Sequence, residues 1–293
     1  MRVAALSLAG IEARNLTDYM EGLEKLLRGL EVRLAVLPAY AGLLLARQAG
    51  LLPQQGSFRA LFSAFAAQST RWNREYRTLC GALAGKLGLY LLAGTTLEHD
   101  QGRLYHTAYL FGPQGEICGK QRQTHLTREE RELGLSRGME LPLFPAGPFQ
   151  VGIVIGNDSR HPETGRILAL QGADILLHPG AMGEGFTGPS QEAGMWAQVQ
   201  QNQCWAVEAQ LCGTIGERSF AAECAIIGPC EATADLSGYL ALARGSAGTA
   251  AVSAFLDQAK RRQAKENFPV LRQLNPEAYG VLYRHQEPEK EGR

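Results

Sequence analysis

The sequence has no excess of charge of either sign: 29 basic residues stand against 29 acidic ones in a chain of 293. That balance argues against a broad nucleic-acid or anionic-membrane surface, since both need concentrated positive charge. No apolar run approaches the roughly 18 residues of a membrane span. The opening MRVAALSLAG is too short for a secretory signal and leads at once to Glu12 and Arg14. Six cysteines (Cys80, Cys118, Cys204, Cys212, Cys224 and Cys230) form no C-x-x-C pair and no metal-ligand spacing. They read as buried, reduced thiols that pack as small hydrophobes. Internal repeats and low-complexity segments are also missing. The expectation is a soluble cytoplasmic protein with no cofactor, no metal, no nucleic acid and no membrane partner.

What is present is an ordinary globular composition, 45% apolar and 20% charged, enough to bury a substantial core. The 34 glycines suggest many tight connections. The most organised stretch is Gln150–Pro179, which reads as strand, sharp turn, helix and strand. Val151, Ile153, Val154 and Ile155 suit a buried strand. Pro162 and Glu163 suit the first turn of a helix, and Gly172 ends it. Asp174–Leu177 then reads as a second buried strand, closed by Pro179 and Gly180. Turns of this kind often expose a nucleophile in α/β enzymes. Here the turn holds Gly156-Asn157-Asp158, and Gly156 has no side chain.

The rest of the chain alternates in the same way. Arg2–Leu8 and Val32–Leu37 read as strands around a helix over Asn15–Leu30. Leu43–Gly56 reads as irregular, and Ser57–Lys86 as two helical pieces with a second cap at Ser69-Thr70. Leu89–Glu98 is a strand. Leu104–Phe111 and Glu116–Arg122 form a hairpin around Gly112-Pro113-Gln114-Gly115. Pro189–Leu211 reads as one helix, followed by strands at Cys212–Ile215, Ala221–Ile227 and Val252–Asp257. Lys260-Arg261-Arg262 is a solvated helix face. A single α/β domain over 1–283 is expected, layered so that helices cover both sheets. The tail 284–293 lacks apolar anchors and is expected to be mobile.

Three segments then line up in order: LPAYAG at Leu37–Gly42, GKQRQTHLTREERELG at Gly119–Gly134 and VGIVIGNDSRHPE at Val151–Glu163. With Tyr105–Thr107, Trp196…Ala206-Val207-Glu208, Ile226–Pro229 and Asn275–Tyr279, they resemble the nitrilase superfamily, the carbon–nitrogen hydrolases that cut amides and nitriles. The resemblance covers nearly the whole chain. It implies an αββα sandwich that pairs into a homodimer or higher homo-oligomer. The pairing helices would lie near Pro162–Gln171 and Pro189–Leu211, offering Ile167, Met195, Trp196 and Val199. It also implies a catalytic set of three: a cysteine thiolate that attacks, a glutamate general base and a lysine that stabilises the oxyanion.

This sequence departs at all three positions. Ala39 stands where the glutamate should be, Gln123 where the lysine should be and Gly156 where the cysteine should be. Neighbouring positions fit, among them Arg122, His125, Asp158, Arg160 and Glu163. The expected function is that of a catalytically inactive member binding a small molecule, or acting as a regulator or non-catalytic subunit. The alternative is an amidase-like enzyme with a rewired site. Candidate pocket residues are Tyr40, His106, His125, Glu130, Asn157, Asp158, His161 and Glu208. Two other arrangements carry little weight beside these. One is a Ser-His-Asp set from Ser159, His161 and Asp158, which sit too close on one turn to converge. The other is a metal site from His106, His125 and His161. Asn157 and Asp158 are expected to pin the turn.

Overall fold

Short β-branched and leucine-rich runs, each soon interrupted by turn residues, dictate many short strands. The computed structural model describes residues 1–8, 11, 13–183, 185, 187–243 and 251–279. The expected tail at 284–293 therefore lies outside the described residues. Among the described residues two six-stranded sheets form. The first contains β1 (Arg2–Leu6), β2 (Leu34–Val36), β3 (Tyr90–Asp100), β4 (Arg103–Phe111) and β5 (Ile117–Arg122). The second contains β6 (Leu143–Ala146), β7 (Phe149–Ile153), β8 (Ile175–Gly180) and β9 (Trp205–Gln210). A separate hairpin follows, β10 (Gly213–Ile215) and β11 (Arg218–Phe220). Next, β12 (Ala225–Ile227) and β13 (Tyr239–Leu242) extend the second sheet, and β14 (Ala251–Phe255) returns to pair with β1. Strands β1, β2 and β3 run parallel, as do β7, β8 and β9.

The helices are α1 (Leu16–Leu30), α2 (Ala41–Gln48), α3 (Phe58–Leu87), α4 (Arg128–Glu132), α5 (Pro162–Gln171), α6 (Gly188–Gln191), α7 (Ala197–Asn202), α8 (Gln258–Asn267) and α9 (Pro276–Tyr279). The two sheets face each other across Val3, Val36 and Leu110 on one side and Ile153, Leu177 and Val207 on the other. Helices α1 to α3 cover the outer face of the first sheet, and α5 and α7 that of the second. The result is the four-layer αββα sandwich.

Several expectations are corrected. Leu43–Gly56 is not irregular: Ala41–Gln48 is helical because Leu43 and Leu45 both reach the core. The helix from Phe58 to Leu87 is continuous over 30 residues, capped by Ser57 and ended by Gly88 in the left-handed region. Ser69 does not cap a second piece, because its hydroxyl donates to the Ala66 carbonyl at 2.7 Å within the same helix. The helix expected over Pro189–Leu211 ends at Asn202, and Trp205–Gln210 is a strand. Met195 and Val199 are fully buried against the second sheet, so neither can face a partner. The strand expected over Ala221–Ile227 begins only at Ala225.

Two details bring the first sheet to the site. Trp72 Nε1 donates to the Gly42 carbonyl at 2.9 Å, tying α3 to α2. Gly94 sits at a register shift in β3 with φ +77. A Cβ there would fall 2.1 Å from the Pro38 carbonyl oxygen, so only glycine lets β3 pass the Leu37-Pro38 turn.

Candidate functional site

The parallel strands β2, β7 and β8 end at one edge of the sandwich, the usual place for a ligand in α/β sheets. There the loops after them enclose a cavity of about 730 Å³. Ala39 follows β2, Gly156 follows β7, and His178 and Gly180 close β8; all four line the cavity. Backbone bonding fixes the first of these, since Ala39 N–H donates to the Gly180 carbonyl at 3.2 Å. Tyr40 then takes φ 60, and its N–H donates to Thr95 Oγ1 at 2.8 Å.

Gly156 opens a tight 3₁₀ turn, Gly156–Arg160, with φ +49. A Cβ built on it would meet nothing nearer than the Gln123 amide at 3.8 Å. The turn therefore has space for a side chain that the sequence does not supply. Ala39 offers only a methyl group. The structure thus brings Ala39, Gly156 and Gln123 to one place, with Gln123 buried behind Gly156 rather than in the cavity wall.

Gln123 is fully engaged. Its Oε1 accepts from His106 Nδ1 at 2.7 Å, and its Nε2 donates to Glu130 Oε2 and to the His125 carbonyl, each at 3.0 Å. His106 Nε2 lies 2.5 Å from Thr95 Oγ1. Because Gln123 Oε1 can only accept, Nδ1 carries the proton, and the Thr95 hydroxyl donates to Nε2. Burial lowers the His106 pKa against the pull of Glu130, keeping the ring neutral. Tyr40 stacks on that ring, with centroids 5.1 Å apart. Glu130 also accepts from Thr127 N–H at 2.7 Å, closing a capping box at the start of α4. Tyr40, Thr95, His106, Gln123 and Glu130 make one satisfied chain with a single charge at its end.

Asp158 pins the turn. It accepts from His125 N–H at 2.6 Å and from the Thr124 hydroxyl at 2.8 Å, as well as from Thr124 N–H. From the other side Gln198 Nε2 donates to the Ser159 carbonyl at 2.7 Å. Asn157 Nδ2 donates to the His125 carbonyl at 3.3 Å and lies 3.4 Å from His161 Nε2. His125 and His161 stack with centroids 3.9 Å apart. Burial lowers the His161 pKa, and His125 adds to that. Ser159 Oγ donates to the Gly156 carbonyl at 2.9 Å, not to His161. His106 is committed to Thr95 and Gln123, apart from the His125–His161 stack. Neither the Ser-His-Asp set nor the three-histidine set is assembled.

Of the remaining candidates, Tyr40, His106, Glu130 and Asn157 line the cavity, whereas Glu208 lies behind it on β9, a strand and not the expected helix. Sequence reasoning missed His178, whose ring stands between Glu208 and the cavity; its Nε2 is 3.8 Å from Glu208 Oε1. Burial raises the Glu208 pKa to about 7 and lowers that of His178 to about 4. It also missed the far wall, where Arg218 pairs with Glu129 and lies 4.3 Å over the Phe58 ring. Arg160 lines the cavity without a carboxylate in ion-pair distance among the described residues.

Chemically, the lining described contains neither cysteine nor lysine. Five thiols are also held protonated chiefly by burial: those of Cys80 and Cys224 are pushed up to about 12, those of Cys118 and Cys204 to about 11, and that of Cys230 is raised. The hydroxyls in the described lining are those of Tyr40, Thr127, Ser159 and Ser190, and Ser159 Oγ is spent on the Gly156 carbonyl. The cavity can offer hydrogen bonds, aromatic faces and the guanidinium of Arg160, which has no ion-pair partner among the described residues.

Comparison with known proteins agrees with this architecture. The sequence profile described as carbon-nitrogen hydrolase matches residues 12–232. The omega-amidase NIT2 of Homo sapiens is 28% identical over 208 residues, 68% of this chain and 72% of that protein. The omega-amidase NIT2 of Danio rerio is 34% identical over 136 residues, 44% of this chain; the chain spans only 47% of that relative. Among solved structures, a carbon-nitrogen hydrolase from Helicobacter pylori G27 superposes with a TM-score of 0.73 at 18% identity, covering 97% of this chain and 98% of that one. A mutant of Nesterenkonia AN1 amidase from the nitrilase superfamily gives 0.74 at 18% identity over 96% and 97%. Fold, site position and matched profile together show that this chain belongs to the carbon–nitrogen hydrolase family, within the nitrilase superfamily.

Proposed function

We propose that this chain is a non-catalytic member of its family that binds a small molecule in the cavity beside Gly156, serving as a regulator or non-catalytic subunit. One observation carries the reading: the nucleophile turn is intact and roomy, yet it presents Gly156, with Ala39 and a neutral, committed Gln123 at the two companion positions. Losing a covalent nucleophile costs about a million-fold in rate, and losing an oxyanion donor about 10²–10³. These losses do not add, but the first alone removes the acyl-enzyme route.

The relatives' names and the lining suggest the ligand class. Several relatives are omega-amidases, and Arg160 is a guanidinium in the wall of the cavity without an ion-pair partner among the described residues. A small carboxylate bearing an amide at its other end fits both. Calorimetric titration with succinamate tests the proposal. Binding should occur without ammonia release and should weaken at least about tenfold in Arg160→Met, the worth of a charged hydrogen bond. No binding by the wild type overturns it.

Pairing of two copies is part of the same reading. Helix α5 leaves Ile167 42% and Leu170 58% exposed on the surface of the second sheet's helical layer. An isologous contact across that face would cover them.

A further inference from the structure

The His178–Glu208 pair lies outside the triad positions and is used by nothing described so far. His178 Nδ1 is 2.6 Å from the Val154 carbonyl oxygen. That acceptor requires the proton on Nδ1, which leaves Nε2 as a lone-pair acceptor in the neutral ring. The ring is buried, lines the cavity, and Nε2 has no hydrogen-bond partner among the described residues; Glu208 Oε1 is its neighbour at 3.8 Å.

Glu208 is a buried carboxylate held by neutral amides. Its Oε2 accepts from Gln191 Nε2 and its Oε1 from Gln210 Nε2, each at 2.8 Å, and no cation forms an ion pair with it among the described residues. The titratable groups that face it are His178 on β8, Arg160 on the 3₁₀ turn, acting at a distance, and the Cys224 thiol, which Glu208 pushes further up. Gln210 Oε1 is buried without a partner. A flip of that amide would turn an acceptor towards a protonated Glu208.

We propose that His178, backed by Glu208, is a proton-linked ligand contact of this cavity: an anionic molecule that enters brings one proton onto the pair. The inference rests on the pocket reading above. A carboxylate held by Arg160 adds negative charge near Glu208 and offsets the field of Arg160, which, after the Gln191 and Gln210 hydrogen bonds, helps to hold the Glu208 pKa down against its burial. The proton then goes to Glu208, or to Nε2 where it can donate to the ligand. Succinamate does not titrate between pH 6 and 9, so any linkage in that window belongs to the protein.

Titration of the wild type with succinamate in phosphate and in Tris, buffers of different ionisation enthalpy, reads the proton directly. Uptake approaching one proton is expected near pH 7.5, with affinity falling by up to about tenfold per pH unit above pH 7. Glu208→Gln should still bind, with neither uptake nor pH dependence. Binding by the wild type without proton uptake, or uptake that persists in Glu208→Gln, overturns this contact and leaves the pocket reading standing. No binding of millimolar succinamate at any pH overturns both. The wild-type result decides even if the variant fails to fold.

Discussion

Replacing Glu208 by glutamine should stabilise this protein above neutral pH and not below pH 4.5. The carboxylate is fully buried between Gln191, Gln210 and His178, and burial raises its pKa from 4.5 to about 7. A raised pKa on an acid means that the folded state holds the proton more tightly than the unfolded chain. Below pH 4.5 both states are protonated and Glu208 costs nothing. Between pH 4.5 and 7 the unfolded chain ionises first, and stability declines. Above pH 7 the full penalty is present, up to about 3 kcal/mol. His178 acts in the opposite direction. Its pKa is lowered from 6.5 to about 4, so it costs stability only as pH falls through that interval. Glutamine is isosteric and carries no charge. Its new N–H₂ would need an acceptor, and Gln210 Oε1, unpartnered in the wild type, can supply one by an amide flip. Urea unfolding at pH 5 and pH 8.5 is the assay. The variant should gain about 2–3 kcal/mol at pH 8.5, or several degrees in Tm, and much less at pH 5. A variant less stable than wild type at pH 8.5, or shifted equally at both pH values, would refute the reasoning.

Three further outcomes follow from the same structure. Restoring Ala39→Glu, Gln123→Lys and Gly156→Cys together should create measurable amidase activity and a thiol that reacts with iodoacetamide, because a Cβ at residue 156 has ordinary contacts at 3.8 Å; the left-handed φ there should cost about 1–2 kcal/mol in Tm measurements. Gln123→Leu should destabilise by about 2–4 kcal/mol in denaturant titration, since it strips partners from His106 Nδ1 and Glu130 Oε2 inside the protein. With α5 proposed as the pairing face, Leu170→Glu should lower the sedimentation coefficient from that of two copies to that of one in analytical ultracentrifugation while leaving the Tm close to wild type; a wild type that sediments as one copy, or an unchanged coefficient in the variant, would remove α5 as the pairing face.

The parts of the fold legible in the sequence were those with local punctuation. The β7–turn–α5–β8 unit was marked by Pro162 at the helix start and Gly172 at its end, and the β4–β5 hairpin by its Gly-Pro-Gln-Gly turn. The boundary between α7 and β9 carried no such mark. Gln203 takes φ 51 and ends the helix where a glycine would have announced it, so the sequence pattern alone carries the helix on through Glu208. Continuity of α3 was hidden because Ser69 looks like a cap but bonds back to Ala66. Motif order alone is enough to expect Ala39, Gln123 and Gly156 near one another, as the fold places them. His178 could not be found that way, since one histidine in an apolar strand reads as core, and its approach to Glu208 depends on the register of β8 against β9.

The central claim is that the cavity binds and does not cut. Its most direct test is ammonia release from succinamate, other small amides and nitriles by the wild-type protein at high concentration. The account predicts no release above buffer, in the wild type and in Glu208→Gln and Glu130→Gln alike. Release by the wild type that disappears in either variant would contradict it and establish a hydrolase with a rewired site.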